Sequence, residues 1–184
     1  MIAKSENIMD DINSLSEQEK QIAYRDARLT GNYNRIWQEV GKCCFCDIRE
    51  KYVFFERDNV IMTVSLYAYI DGHLMIVPRR HVRSVKDLSV VEWDAVREMM
   101  YIAKKIIREV WGIKSVQYIQ KEGADSQGTV QDHLHWHVVP FDAPDLSTWN
   151  YRKLEYTPLE SAAKYRALAR KMDRLSERFD EKYR

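Results

Sequence analysis

The stretch DHLHWHVVP, residues 132–140, carries three of the five histidines in this chain, and one apolar residue separates each histidine from the next. On a helix, at about 100° per residue, the rings of His133, His135 and His137 would fan out around the axis. On a strand, successive side chains point to opposite faces, so all three rings share one face at a spacing of about 6.6 Å. The opposite face is then covered by Leu134, Trp136 and Val138. The pattern predicts a strand with one apolar face and one imidazole face.

Three imidazoles in strict alternation are hard to assign to packing alone. Side by side they would repel one another if all were charged, so at least some of them are expected to be neutral. Two kinds of chemistry use such a face. Neutral imidazoles two residues apart can ligate a metal. Alternatively, one imidazole attacks phosphorus as a nucleophile while its neighbours set its tautomer and protonate the leaving group. The residues alone leave both chemistries open.

Composition sets the class of protein. The chain has 184 residues, of which 45% are apolar and 31% charged, as expected for one folded domain with a sizeable core. A net charge of +1 gives no broad field, so neither nucleic acid nor a membrane surface is expected as a partner. No apolar run approaches the roughly 20 residues that span a bilayer, and the N-terminal residues lack a secretory signal. A cytoplasmic protein is therefore expected.

The remaining sequence predicts antiparallel strands with helices around them, an α+β fold. Besides the histidine strand, strands are expected on both sides of a turn at 57–59, over the apolar run 72–78 and over 115–123. Capping boxes, in which Ser or Thr is followed three residues later by Glu, mark three helix starts. These helices are expected over residues 17–30, 90–111 and 158–184, the last as one long helix.

The motif HLHWHVV resembles the His-x-His-x-His-x-x signature, with x apolar, of the histidine triad (HIT) superfamily of nucleotide hydrolases and transferases. GHLMIVPRRHV resembles the strand before the long helix of that fold, and CCFCDI extends the similarity, which is closest to the branch of diadenosine polyphosphate phosphorylases and hydrolases. The resemblance implies a HIT-like antiparallel sheet with a long packed helix as the catalytic core, residues 41–145. Residues 1–40 would be a partly helical extension, and residues 146–184 a loop and a long helix.

The resemblance also implies the catalytic roles. His135 would attack the α-phosphorus of a nucleoside 5′-phosphate derivative and form a nucleotidyl-histidine intermediate. His137 would hydrogen-bond the bridging or leaving oxygen, and His73 would support the two from the adjacent strand. Imidazole titrates near pH 6.5, so a neutral nucleophile is available at pH 7. The expected substrate is a nucleotide bonded to a phosphate, an amine or a second nucleotide.

Substrate contacts are expected around the loop EGADSQGTVQD, which leads into the histidine strand. Gly128 and Thr129 in this loop are expected to hold the α-phosphate, because glycine lets the backbone approach closely and hydroxyls donate hydrogen bonds. Gln120 or Lys121 would add a polar contact from the preceding strand. Where the family usually has an acidic or amide side chain for the ribose, this chain has Ser65. One hydroxyl cannot form a bidentate clamp, which predicts weaker ribose binding or a different nucleoside.

The cysteines cluster at residues 43, 44 and 46 instead of forming a disulfide framework, which predicts reduced thiols that are available to a metal. Cys43 and Cys46 have a spacing that is common in zinc sites and is also compatible with redox chemistry. Some branches of the family complete a Cys2His2 site with the residues that correspond to His81 and His133. The resemblance therefore implies a structural Zn²⁺ that leaves the other two triad histidines free for chemistry.

Two other functions stay open at this point. The three triad histidines could together bind one catalytic zinc ion, as in a zinc-dependent hydrolase. The chain could also be a nucleotide-binding regulatory module with little catalysis, which Ser65 and the terminal helices suggest. Members of the family usually pair through the long helix and an adjacent strand, so the resemblance implies a homodimer.

Overall fold

A computed structural model describes residues 12–33, 43–123, 133–141 and 154–183. Its centre is a five-stranded sheet in the order β1-β2-β3-β5-β4, in which all neighbouring strands are antiparallel. The strands are β1 (Val53–Arg57), β2 (Val60–Val64), β3 (Leu74–Pro78), β4 (Ser115–Gln120) and β5 (Trp136–Phe141). The predicted α+β fold with an antiparallel sheet is confirmed.

The β1–β2 hairpin turns at Asp58 and Asn59, which both have positive φ values, of 50° and 61°. Two left-handed residues in a two-residue loop match the twist of the flanking strands, and Asp and Asn are the non-glycine residues that tolerate this conformation best. The turn lies where the sequence predicted a break between two strands.

The helices around the sheet include α1 (Glu17–Asp26), α2 (Val90–Trp111), α3 (Pro158–Arg166) and α4 (Ala169–Tyr183). The predicted capping boxes are present at Ser16, Ser89 and Thr157. Helix α2 has the predicted bounds and ends at Gly112, which has a φ of +71°. Helix α1 ends earlier than predicted, because Leu29 and Thr30 both donate to the carbonyl of Asp26 in a closing turn.

The predicted single helix over residues 158–184 is wrong. Helices α3 and α4 are separate, and the amide of Leu168 donates to the carbonyl of Tyr165 at 2.9 Å, which tightens the chain between them. No glycine or proline marks the break, so its cause is packing. Tyr165 is fully buried and stacks on Phe54 of β1, whereas α4 buries Met172 and its neighbours toward α2. One straight helix could not bury both sets.

The main core lies between α2 and one face of the sheet. This face buries Met62, Val64, Leu74, Ile76, Trp136 and Val138, and α2 covers it with Ala95, Val96, Met99, Ile102, Ala103 and Ile106. The opposite face carries a smaller cluster of Phe45, Ile61, Met75 and Val77, together with the histidines. No helix in the four described ranges has the length and apolar character needed to span a membrane.

Candidate functional site

Three histidines meet on the sheet face that α2 leaves uncovered. His137 lies on β5 between Met75 of β3 and Ile119 of β4. His73 directly precedes β3, and its Nε2 lies 2.9 Å from Nδ1 of His137. Nε2 of His137 lies 3.2 Å from Nε2 of His135. The side chains that the sequence singled out for catalysis therefore form one continuous chain of contacts.

One assignment of protons satisfies every contact in this chain. The amide of Tyr69 donates to Nδ1 of His73, so the proton of His73 is on Nε2 and is donated to His137. His137 then carries its proton on Nε2 and donates to Nε2 of His135. The ring of His135 donates from Nδ1 to the carbonyl of His133 at 2.8 Å. All three rings are neutral, and the lone pair of His135 is on Nε2.

Electrostatics agree with neutral rings. Burial is the main cause that lowers the pKa of His73, His135 and His137, because a charged imidazole loses its hydration there. The pKa of His137 falls to about 3. Positive charge adds to the effect from two sides, since Arg28 lowers the pKa of His137 and Lys121 acts in the same direction. The histidines are therefore neutral at pH 7, and cations flank them.

Aromatic side chains orient the imidazoles. Tyr69 stacks on His73 with a centroid distance of 4.7 Å and an interplanar angle of 20°. Phe45 lies over His135 with a centroid distance of 4.7 Å. The sequence did not single out Phe45, although its position between two cysteines was a usable signal. Arg28 was also missed, because it precedes the stretch that resembles the family.

The structure places the residues that were expected to contact substrate on different sides of the sheet or outside the described residues. Ser65 is buried beside the site, and its amide donates to the carbonyl of His73 at 3.2 Å. Gln120 pairs with Trp136 in the β4–β5 ladder, which puts it on the α2 side of the sheet, and its amide donates to Glu122. The structure therefore does not bring the side chain of Gln120 to the histidines. The charge of the next residue, Lys121, does act on them, because it lowers the pKa of His135. Gly128 and Thr129 lie outside the described residues.

A second cluster lies at the end of the histidine strand. One ligand atom from each of Cys43, Cys46, His81 and His133 falls within 4.8 Å of the others. Nδ1 of His133 is 3.3 Å from Sγ of Cys43, and Nδ1 of His81 is 3.2 Å from Sγ of Cys46. Nitrogen and sulfur ligands in a set of four are typical of a structural zinc site with no open position. The structure thus brings together the four predicted ligands.

His133 is oriented as a metal ligand usually is. Its Nε2 donates to the carbonyl of Pro78 at 2.8 Å, which leaves the lone pair of Nδ1 directed at the thiols. Both nitrogens of His133 are therefore engaged away from His135 and His137, and the three triad rings do not converge on one point. This geometry disfavours a single catalytic metal held by all three. Cys44 is not in the cluster, and burial raises the pKa of its thiol to about 12.

Comparison with known families gives the class of protein. Residues 48–143, just over half of the chain, match the HIT domain family. The chain therefore belongs to the HIT domain family, which confirms the resemblance carried by HLHWHVV.

Two proteins of known name have sequences similar to part of this chain. AP-4-A phosphorylase of Mycobacterium tuberculosis is 34% identical over 84 residues, which are 44% of this chain and 42% of that protein. Bis(5′-adenosyl)-triphosphatase of Dictyostelium discoideum is 26% identical over 93 residues, 50% of this chain and 62% of that protein. The chain thus spans less than two thirds of the length of these relatives.

Solved structures agree on the fold. The NitFhit protein of C. elegans superposes with a TM-score of 0.56 at 25% identity, over 66% of this chain and 28% of that chain. A Zn-bound histidine triad family protein from Mycobacterium smegmatis superposes with a TM-score of 0.59 at 20% identity, over 72% of this chain and 96% of that chain.

Proposed function

We propose that this protein is a nucleotide hydrolase or nucleotidyltransferase that attacks the α-phosphate of a nucleoside 5′-phosphate derivative through a covalent nucleotidyl-histidine. The substrate is a dinucleoside polyphosphate or a nucleotide conjugate. The observation that carries this proposal is the chain of contacts from His73 through His137 to His135, which one assignment of protons satisfies. In that assignment the lone pair of His135 is on Nε2, where it accepts from the N–H of His137 at 3.2 Å until a substrate takes the place of this contact. The pair then supplies a nucleophile and an adjacent hydrogen-bond donor for the leaving atom.

In the first half-reaction, Nε2 of His135 forms a bond to the α-phosphorus, and the bond from phosphorus to the bridging atom breaks. The leaving oxygen or nitrogen takes the electron pair of that bond and accepts a hydrogen bond from the N–H on Nε2 of His137, which keeps its proton. Any proton that the leaving group needs comes from water. In the second half-reaction, water or phosphate attacks the same phosphorus, and an attacking water releases its proton to solvent. The electron pair of the N–P bond returns to His135, and the nucleotide leaves.

The surroundings of the histidines support a phosphate substrate. Burial keeps His135 neutral, so this ring keeps its lone pair, and it lowers the pKa of His137, so that this ring is a neutral hydrogen-bond donor at pH 7. Lys121 and Arg28 supply positive charge near the point where negative charge develops. We assign the polar contact with phosphate to Lys121, which directly follows β4, instead of Gln120. Ser65 would contact the ribose, and Gly128 with Thr129 would bind the α-phosphate.

The cluster of Cys43, Cys46, His81 and His133 fits a structural Zn²⁺, since four nitrogen and sulfur ligands leave no position for substrate. The bound ion would hold the segment 43–46 against the sheet and so keep Phe45 over His135. In this assignment the zinc takes no part in the chemical step. The backbone carbonyl of His133 meanwhile fixes the tautomer of His135.

The function is tested with a substrate panel: diadenosine tetraphosphate, an AMP–lysine amide and a nucleoside diphosphate sugar. We expect the wild-type protein to turn over at least one member and His135→Ala to lose that activity by at least about 10³-fold. The control is Tyr52→Phe, which removes a buried hydroxyl whose hydrogen bond is with Gln21. Full turnover by His135→Ala would refute the proposal. Tight nucleotide binding by the wild type without turnover of any member would favour a regulatory module.

We also propose a homodimer. β4 is the last strand of the sheet, and among the described strands its outer edge pairs with none. Apolar side chains near the start of α2 are exposed, Val90 by 80% and Trp93 by 46%. An unpaired edge and exposed apolar groups favour association with a second copy. Light scattering should give twice the chain mass of 21.9 kDa, and a monomer at micromolar concentration would contradict the proposal.

A further inference from the structure

The peptide group between Gly72 and His73 is held at both of its ends. Its carbonyl accepts a hydrogen bond from the hydroxyl of Tyr165 at 2.6 Å. Its N–H donates to the carbonyl of Ile70 at 3.2 Å. Because the peptide group is planar, these two hydrogen bonds fix its orientation. The direction in which the side chain of His73 leaves the backbone is set as a result.

The hydroxyl of Tyr165 is itself fixed. Nε1 of Trp111, the last residue of α2, donates to it at 2.9 Å, so its own proton is directed at the carbonyl of Gly72. The tyrosine is fully buried, and its ring stacks on Phe54 at 4.8 Å. A buried hydroxyl with one donor and one acceptor has no alternative partner, so it acts as a rigid connection.

A second connection reaches the same segment. The carboxylate of Asp71 accepts hydrogen bonds from the amides of Glu155 and Tyr156, at 2.9 and 3.3 Å, directly before α3. Residues 71–73 are therefore attached at two points to the C-terminal segment. This segment lies beyond residue 143, where the match to the family ends.

We propose that Tyr165 is a positioning residue for the catalytic histidines: through the Gly72–His73 peptide, its hydroxyl keeps Nε2 of His73 within hydrogen-bond reach of His137. That contact of 2.9 Å holds the proton of His137 on the nitrogen that faces His135. Without it, His137 can adopt the other tautomer, which no longer presents an N–H toward His135 and the leaving atom. Helix α3 is then part of the catalytic apparatus. The kinetic part of this inference rests on the proposed function; the positioning itself does not.

The test compares Tyr165→Phe with Tyr52→Phe. Phenylalanine at residue 165 keeps the stacking on Phe54 and removes only the hydroxyl. Tyr52 is also buried, and its hydroxyl accepts a hydrogen bond from Gln21 at 2.8 Å, which links α1 to the core. Both variants thus remove one buried tyrosine hydroxyl that ties a terminal helix to the sheet, but only one of them is connected to His73.

The first readout is the ¹H–¹⁵N spectrum of the imidazole rings, which reports the tautomer of each histidine without any substrate. In the wild type and in Tyr52→Phe, we expect His73 and His137 to show protons on Nε2 only. In Tyr165→Phe, we expect a mixture of tautomers at His137. The second readout is the steady-state hydrolysis of diadenosine tetraphosphate. Tyr165→Phe should lower kcat about tenfold and change KM by less than about twofold, because orientation and not binding is lost.

The outcomes separate this inference from the proposed function. If both variants lower the melting temperature alike and leave the histidine spectra and kcat unchanged, Tyr165 is only structural and the inference is wrong. A change in the spectra of Tyr165→Phe alone supports the inference even where the wild type cleaves no nucleotide. In that case the proposed function fails while the positioning role stands.

Discussion

The substitution Gly72→Ala tests how tightly the segment before His73 is packed. Its φ is +82°, a left-handed conformation, and a Cβ at this position would lie 2.7 Å from Cδ1 and Nε1 of Trp111. Gly72→Ala therefore carries two penalties. A left-handed non-glycine residue costs roughly 1 to 2 kcal/mol. Overpacking against the half-buried ring of Trp111 costs about 1 to 3 kcal/mol, because real Cβ atoms do not approach so closely. We expect a total loss of about 2 to 5 kcal/mol in the free energy of unfolding.

Gly112→Ala is the matched control. Its φ is +71°, but a Cβ there meets no atom within 4 Å, so only the backbone penalty applies. Urea unfolding followed by circular dichroism at equilibrium measures both variants. Gly72→Ala should be less stable than Gly112→Ala by about 1 to 3 kcal/mol, with an unchanged slope on urea. Equal losses in the two variants would mean that the contact with Trp111 does not constrain Gly72, and the reasoning would be refuted.

Three further predictions concern charge and metal. Burial lowers the pKa of His137 from 6.5 to about 3. The contribution of this neutral ring to the free energy of unfolding is therefore complete above pH 6.5 and is lost as the pH falls toward 3, by roughly 1.4 kcal/mol per pH unit. In His137→Asn, the free energy of unfolding in urea should depend less on pH over that range, and an unchanged pH dependence would contradict this. Elemental analysis should find one zinc ion per chain in the wild-type protein. Cys46→Ser should lose this ion, whereas Cys44→Ser should keep it. Zinc retained by Cys46→Ser would exclude the site. Glu92, whose hydrogen bond with Arg80 lowers its pKa to about 2, also caps α2; Glu92→Ala should cost about 1 to 2 kcal/mol in the same unfolding assay, and a loss below about 0.5 kcal/mol would argue against it.

Local signals in the sequence predicted much of this fold. The capping box at Ser89 and the glycine at 112 gave both ends of α2, because helix ends depend on side chains within a few residues. The alternation of histidines predicted the imidazole face, since the side-chain period of a strand is two. The four predicted metal ligands also came together, but only the spacing of Cys43 and Cys46 was a local signal. His81 and His133 were implied by the resemblance to the family.

Features that depend on distant contacts could not be predicted. The break between α3 and α4 follows from where Tyr165 is anchored, and its partner Gly72 lies 93 residues away in the chain. Gln120 was expected near the histidines but lies on the α2 side of the sheet, because a shift of one residue on a strand moves a side chain to the opposite face. Lys121 was the alternative that the sequence left open, and only the pairing with β5 decides between the two.

The proposed function depends on the claim that Nε2 of His135 bonds directly to phosphorus. Mass spectrometry of the protein, quenched at alkaline pH during turnover of diadenosine tetraphosphate and then digested, tests this claim most directly. We predict a nucleoside monophosphate adduct on the peptide that contains residues 133–137, with fragmentation placing it on His135 and with no adduct on His135→Ala. Turnover with an adduct on another residue, or with no adduct on His135 at any time point, would contradict the account.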